Sequence, residues 1–298
     1  MKCAIFSCMG LGDGLIIQTL AHNLQKGGHA VTIYHPFLEA LQEWFPGRPF
    51  QKFPTSLPEC DRHFIIYERS DHMKALMEEA IQKYPEKTTI LNAIATPRSD
   101  YPYWEQGRFD GREPFAVNLA HFCRDILKIE GAGHGNGIAV PAGVERGKYL
   151  KRVVIHPTSS RAGKNWSKKK FIQLAQQLRK AEYDPVFILT SQEKEDWPEV
   201  NAPQFASLDA VARFVAESGA MVGNDSGIGH LASCLGVPTL TICRNQMAAD
   251  FWRPAWAPGS VIVPPKWIPN LKGMRWRDQK WQAFVPVSRV LRAFLAFG

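Results

Sequence analysis

AMVGNDSGIGHLASCLGVPTLTIC, residues 220–243, reads as strand, turn, helix and strand. The apolar run 220–223 suits a strand covered on both faces. Small and polar residues follow it, then a helix over 229–235 and a second apolar run over 238–243. Two strands joined through a helix run parallel, because the crossover returns the chain to the same end of the sheet. A parallel sheet with helices on both faces is the expected result.

The same rhythm extends upstream. Strands are expected at 153–156 and 185–190, with helices over 168–180 and 208–217. The first half repeats the pattern: strands at 2–8, 30–34, 63–67 and 88–94, and helices over 15–25, 37–44, 71–84 and 115–127. Gly27-Gly28 closes the first of these helices as a C-cap signal. Residues 131–148 are Gly-rich and poor in bulky apolar side chains, as an inter-domain linker would be. The sequence therefore divides into an N-terminal Rossmann-like domain over 1–140 and a C-terminal Rossmann-like domain over 141–285. A final amphipathic helix over 286–298 docks on a domain face. The fold class is α/β, two doubly wound domains facing across a cleft, and open sheets of this kind bind ligands at their carboxyl ends.

Two stretches break the rhythm. Residues 96–114 are rich in Pro, Gly, aromatics and Arg and read as a long surface loop or lid. Residues 251–285 hold Trp252, Trp256, Trp267, Trp276 and Trp281, and a loop pinned by large aromatics is favoured there over direct ligand contact.

The chain of 298 residues carries a net charge of +8. Residues 1–150 hold 16 Lys and Arg against 17 Asp and Glu, whereas 151–298 hold 20 against 11. A basic second half attracts a phosphorylated small molecule, an anionic membrane surface or nucleic acid, and charge alone does not choose among them. Six cysteines without a CxxC pair or zinc spacing fit a reducing cytosol. The first residues lack a signal-peptide pattern, and no stretch approaches the roughly 20 apolar residues of a membrane helix. There is no Walker A loop, HExxH, GxSxG or Asp-x-Asp pair.

Three turns carry candidate chemistry. In 223–232, the backbone N–H groups of Ser226, Gly227 and Ile228 sit at a helix start, where donors and dipole suit a diphosphate, and His230 lies in the first turn. The competing reading is a cap, with Asp225 or Ser226 satisfying the helix itself. In 156–166, the hydroxyls of Thr158 and Ser159 and the cations Arg161 and Lys164 precede a helix, and a cation there neutralises charge on a leaving phosphate. The third turn is 9–14, where Asp13 is either an N-cap or a general base facing a sugar hydroxyl. The basic run 168–170 reads as a solvated helix start.

Taken together, these turns resemble glycosyltransferase family 9, the lipopolysaccharide heptosyltransferase-like enzymes. The resemblance rests on Gly10–Gly14 after the first strand, on Ile155-His156-Pro157-Thr158 with Lys164-Asn165-Trp166, and above all on Asp225-Ser226-Gly227-Ile228-Gly229-His230-Leu231-Ala232 followed by Leu235-Gly236-Val237-Pro238. It implies a two-domain GT-B fold, Asp13 as catalytic base, Lys164 on the donor phosphate and Glu193 near the ribose. Thr158 stands where the family usually has Gly, and Arg244-Asn245-Gln246 where it usually has a Gly-containing turn.

The expected activity is metal-independent, inverting transfer of a sugar from a nucleotide diphosphate, ADP-heptose or similar, to a cell-surface glycan or lipopolysaccharide. The nucleotide sugar is a co-substrate, with no metal or further cofactor. Donor contacts are expected from Thr158, Ser159, Lys164, Glu193, Asp225, Ser226, Gly227, Ile228 and His230, and acceptor contacts from Gly12, Tyr101, Tyr103, Trp104 and Arg108. The expected location is the cytoplasm, where peripheral contact with the inner face of the membrane is compatible and nucleic acid is not an expected partner. A sugar-nucleotide epimerase on a similar fold and a noncatalytic nucleotide- or nucleic-acid-binding module remain open as alternatives.

Overall fold

The computed structural model describes residues 1–93, 109–270 and 275–296. Tyr101, Tyr103, Trp104 and Arg108 lie outside the described residues. The chain divides into two compact units, Met1–Pro141 and Ala142–Gly298.

The first unit is one parallel sheet flanked by helices. Its elements are β1 (Lys2–Phe6), α1 (Leu11–Ile16), α2 (Gln18–Lys26), β2 (Ala30–Tyr34), β3 (Phe50–Gln51), β4 (Arg62–Ile66), α3 (Asp71–Lys83), β5 (Thr88–Leu91) and α4 (Phe115–His121). The strand order is β3-β2-β1-β4-β5. β1 is central because it pairs on both edges, Cys3 to Phe6 meeting Val31 to Tyr34 on one side and Arg62 to Ile65 on the other. Its residues Ala4, Ile5 and Phe6 are fully covered, as their unbroken apolar run requires. Chain order reverses between β1 and β4, which makes the crevice above them the switch point for ligands.

The sequence expectation needs correction in three places here. The helix expected from residue 15 starts at Leu11, so Gly12, Asp13 and Gly14 are helical and not part of a preceding turn. Residues 37–44 form a 3₁₀ helix, Leu38–Trp44, and not an α-helix. The Gly-rich segment is not free linker over its first half. Asn23 grips both the N–H and the carbonyl of Gly133, Thr19 bonds the carbonyl of His134, and the buried Arg48 bonds that of Asn136. Residues 131–137 therefore form a strap across α2.

The second unit has β6 (Tyr149–His156), α5 (Lys168–Lys180), β7 (Asp184–Phe187), α6 (Ser191–Glu195), α7 (Leu208–Ala216), β8 (Ser218–Asn224), α8 (Gly227–Cys234), β9 (Thr239–Ile242), α9 (Gln246–Trp252), β10 (Gly259–Ile262), α10 (Trp276–Gln279) and α11 (Val287–Leu295). All strands are again parallel, in the order β10-β9-β8-β6-β7. This is the flavodoxin-like variant of the doubly wound sheet, with its switch point between β6 and β8. Val153, Ile155, Val222, Leu240 and Ile242 form the core with Phe171, Leu174 and Leu178 of α5. The amphipathic α11 adds Val290 and Phe294 to the same cluster. The short α6, α9 and β10 are additional to the sequence reading.

Candidate active site

The turns that follow β6 and β8 flank the switch point of the second unit. Asn224, the last residue of β8 and fully buried, ties them together. Its Oδ1 accepts from Trp166 N at 2.9 Å, and its Nδ2 donates to the carbonyl of Pro157. From the other side, the indole of Trp281 donates to the Gly163 carbonyl at 3.2 Å, and Trp166 donates to that of Val285 at 3.0 Å. Sequence reasoning assigns Asn224 no role, and its one signal is a polar side chain ending an apolar strand. Trp281 fits the pinned-loop reading of its segment. Lys170 departs from the solvated one, because its ammonium bonds the carbonyls of Gln282 and Val285.

Held in this way, Lys164 meets Asp225. Its Nζ lies 2.9 Å from Asp225 Oδ2, with the Lys164 side chain 37% exposed and that of Asp225 10%. Ser226 has the extended backbone of an N-cap but makes no capping side-chain bond, and its Oγ is buried without a partner. Three other helices of this unit carry side-chain caps, whereas α5, which starts after Ser167, has none. Ser207 accepts from Ala210 N, Asn245 from Ala248 N, and Thr190 forms a capping box with Glu193. At α8 the Gly227 and Ile228 end of the helix is left without side-chain closure. His230, one turn further on, is buried and bonded to the Trp252 backbone, while its Nδ1 has no partner. Burial pushes its pKa down to about 4, against the pull of Asp225, so the imidazole is neutral near pH 7.

Thr158, Ser159 and Glu193 belong to neighbouring networks. The Thr158 hydroxyl lies 3.3 Å from His156 Nε2 and also bonds Glu193. Desolvation opposes the charge on Glu193, but the bonds from Thr158 and Thr190 outweigh it and hold its pKa below the usual value. Glu193 is also the reciprocal partner in the α6 capping box, accepting from Thr190 N at 2.8 Å. Ser159 donates to Asn165 Oδ1 at 2.6 Å. In this structure these three side chains shape the turn from within.

In the first unit, Gly12 and Asp13 occupy the first turn of α1, where the helix dipole favours a carboxylate. Asp13 is half-buried, and its carboxylate lies over Gly10, where an added Cβ would come within 2.5 Å of Oδ2. His35 supports the turn from below. It is fully buried, accepts from Phe37 N at Nδ1 and donates from Nε2 to the Gly10 carbonyl at 3.1 Å. Burial pushes its pKa to about 4. Glu68, just past β4, brings a second carboxylate to the same switch point, its Oε2 3.4 Å from Met9 N. Burial, with Asp13 and Glu68 nearby, pushes the Cys8 thiol upward. Glu68 carries no sequence signal beyond its position after an apolar strand.

Two parallel doubly wound sheets in one chain, with polar turns at both switch points, define the class: this is the GT-B architecture of glycosyltransferases. Residues 142–264, within the second unit, match the family model for glycosyltransferase family 9 (heptosyltransferase). Similar solved structures include ADP-heptose LPS heptosyltransferase II of E. coli, with 17% identity, 99% of this chain and 98% of that chain covered, and a TM-score of 0.67. The family 9 glycosyl transferase of Veillonella parvula gives 14%, 99%, 96% and 0.68. E. coli heptosyltransferase WaaC with ADP gives 12%, full coverage of both chains and 0.66. At such identities the likeness is one of fold. No curated protein matches the sequence. The match over 142–264 and the shared fold make the chain similar to the heptosyltransferase-like glycosyltransferases. Among the described residues, no helix is long and apolar enough to cross a membrane.

Proposed function

We propose that the chain moves a sugar, with inversion and without a metal ion, from a nucleotide diphosphate to a hydroxyl of a cell-surface glycan or lipopolysaccharide. The acceptor oxygen bonds to the anomeric carbon as the bond from that carbon to the diphosphate oxygen breaks. Asp13 takes the hydroxyl proton, and the diphosphate leaves with the electron pair. The observation that carries the reading is the uncapped start of α8 beside the Lys164 ammonium. Backbone donors from Ser226 to Ile228 and the helix dipole suit the diphosphate, and Lys164, released from Asp225, neutralises it. His230 is neutral in the free protein, and an arriving anion favours its protonation. Thr158, Ser159 and Glu193 complete the donor side. Gly12, Tyr101, Tyr103, Trp104 and Arg108 are the proposed acceptor contacts. ADP-heptose is the donor favoured by the names of the similar structures. The proposed location is the cytoplasm, in peripheral contact with the inner face of the membrane.

The test is transfer from a labelled nucleotide sugar. Lys164→Ala lowers turnover on the order of 100- to 1000-fold, the usual cost of one lost electrostatic contact to the leaving group. Asp13→Asn lowers it on the order of 100-fold or more. Both variants keep the parent's melting temperature within a few degrees, because each side chain is at least partly exposed. EDTA leaves the rate unchanged. Normal transfer by Asp13→Asn would remove that residue from the base role, and label retained on the nucleotide would indicate epimerisation instead.

A further inference from the structure

Beyond the donor turns, the carboxyl edge of the second sheet continues into a cavity of about 430 Å³ above β9 and β10. Arg244 enters it one residue after Cys243, directly past β9, and Lys266 enters just past β10. Arg275 and Arg277 close the other wall. Against these four cations, the only carboxylate among the described lining residues is Asp278, which Arg275 holds at 2.8 Å. Arg277 is fixed in place by bonds to the carbonyls of Lys266 and Pro269, so the two walls form one packed unit. Gathering an excess of three positive charges in one concavity raises the energy of the empty protein and focuses a field on any anion that enters. Two indoles flank the cations in sequence: Trp267, 80% exposed, follows Lys266, and Trp276, 53% exposed, stands between Arg275 and Arg277. Neither indole is among the residues that line the cavity. Asn270 adds an amide to the lining, and its Oδ1 has no partner, which suits a hydroxyl donor.

We propose that this cavity is an anion subsite for the phosphate or carboxylate of a saccharide, separate from the diphosphate nest at α8. The proposal rests on the transferase reading only in taking a saccharide as the ligand. The cavity neighbours the donor turn, since the Cys243 thiol at its root lies within electrostatic reach of both Asp225 and Lys164. Arg244-Asn245-Gln246 is also where the sequence departs from the family's usual Gly-containing turn, and the departure supplies one of the four cations.

The full chain is titrated with glucose 6-phosphate, glucuronate and glucose, with and without saturating ADP. The two anionic sugars bind and glucose does not, because the charge-assisted bonds supply the affinity. Arg244→Gln combined with Lys266→Gln weakens glucose 6-phosphate binding at least about tenfold, the loss expected for charge-assisted contacts, and leaves ADP affinity and melting temperature unchanged. Both side chains are exposed, so the fold does not depend on them. Unchanged glucose 6-phosphate affinity in the double variant overturns the proposal, as does one-for-one displacement by ADP, which would make the donor nest the anion site. Capture by phosphatidylglycerol vesicles that glucose 6-phosphate does not compete away would overturn it too, since the cavity would then belong to a membrane surface. Lys164→Ala keeps glucose 6-phosphate binding and loses ADP binding, so failure of the transferase reading is visible separately.

Discussion

The turn after β1 and the turn after β8 are built alike and finished differently. Each ends a central strand at a switch point, carries an Asp and rests on a buried imidazole with a pKa near 4. Under the first turn, His35 uses both ring nitrogens, one toward Phe37 N and one toward the Gly10 carbonyl. Under the second, His230 keeps Nδ1 unpartnered, and Ser226 Oγ beside it is unpartnered too. A buried polar atom left unmade costs roughly 1–3 kcal/mol. A closed turn uses its polar groups within itself, as His35 does toward Gly10 and Phe37, whereas an open turn keeps donors and acceptors for something that arrives.

If that distinction is right, the closed turn is the more fragile of the two. Gly14 faces His35 so closely that an added Cβ would lie 2.6 Å from Nε2 and 3.0 Å from a methyl of Leu38. Gly14→Ala must push the imidazole off the Gly10 carbonyl. Overpacking costs roughly 1–3 kcal/mol, and an orphaned buried group adds about as much. The melting temperature of Gly14→Ala falls by roughly 10 °C, read by differential scanning calorimetry. A loss under about 2 °C would show that His35 is not locked.

Acid separates the two imidazoles next. The unfolded histidines titrate near 6.5 and the folded ones near 4, so the unfolded state binds more protons between those values. Stability is intact above pH 6.5 and is lost as pH falls from there toward 4, on the order of 3 kcal/mol for each imidazole. Denaturant midpoints across this window measure the loss. His35→Gln removes one share of the slope. Saturating ADP reduces the other, because an anion at α8 raises the folded pKa of His230 toward its unfolded value. An identical pH slope with and without ADP would place the anion elsewhere.

How much of this is legible in the sequence follows the same division. Alternating apolar runs disclose the strand and helix order, since burial on both faces of a parallel sheet leaves a local signature at β1, β6 and β8. The motif residues of the second unit are legible because their backbone needs are local: small residues at Ser226 and Gly227, and an apolar helix after them. What stays hidden is long-range. Nothing local says that Asn224 will hold the 157–166 turn or that His35 will fill the space over Gly14, whereas Thr190-x-x-Glu193 is a local capping-box pattern that the sequence reading leaves out. The strap at 131–137 reads as linker because its bonds come from side chains far earlier in the chain, Thr19, Asn23 and Arg48. The start of α1 reads as a turn because three glycines argue for one, while the Gly14 and Ile17 amide bonds to Gly10 and Asp13 make it helix.

The smallest expected effect tests the distinction between two serines in equivalent places. Ser207 and Ser226 both precede a helix of the second unit with extended backbone. Ser207 Oγ accepts from Ala210 N at 3.2 Å, and Ser226 Oγ accepts from nothing. Ser207→Ala therefore costs about 1 kcal/mol, the usual value of a lost N-cap, and ADP does not change that cost. Ser226→Ala removes a buried hydroxyl that has no bond to lose, so the free protein keeps or slightly gains stability. Its deficit shows only in the stabilisation that ADP adds, because the nest then lacks one hydroxyl. Chemical denaturation of both variants, each with and without ADP, gives the four numbers needed. If Ser226→Ala lost as much stability as Ser207→Ala without nucleotide, the start of α8 would be an ordinary closed cap, and the case for a diphosphate there would go with it.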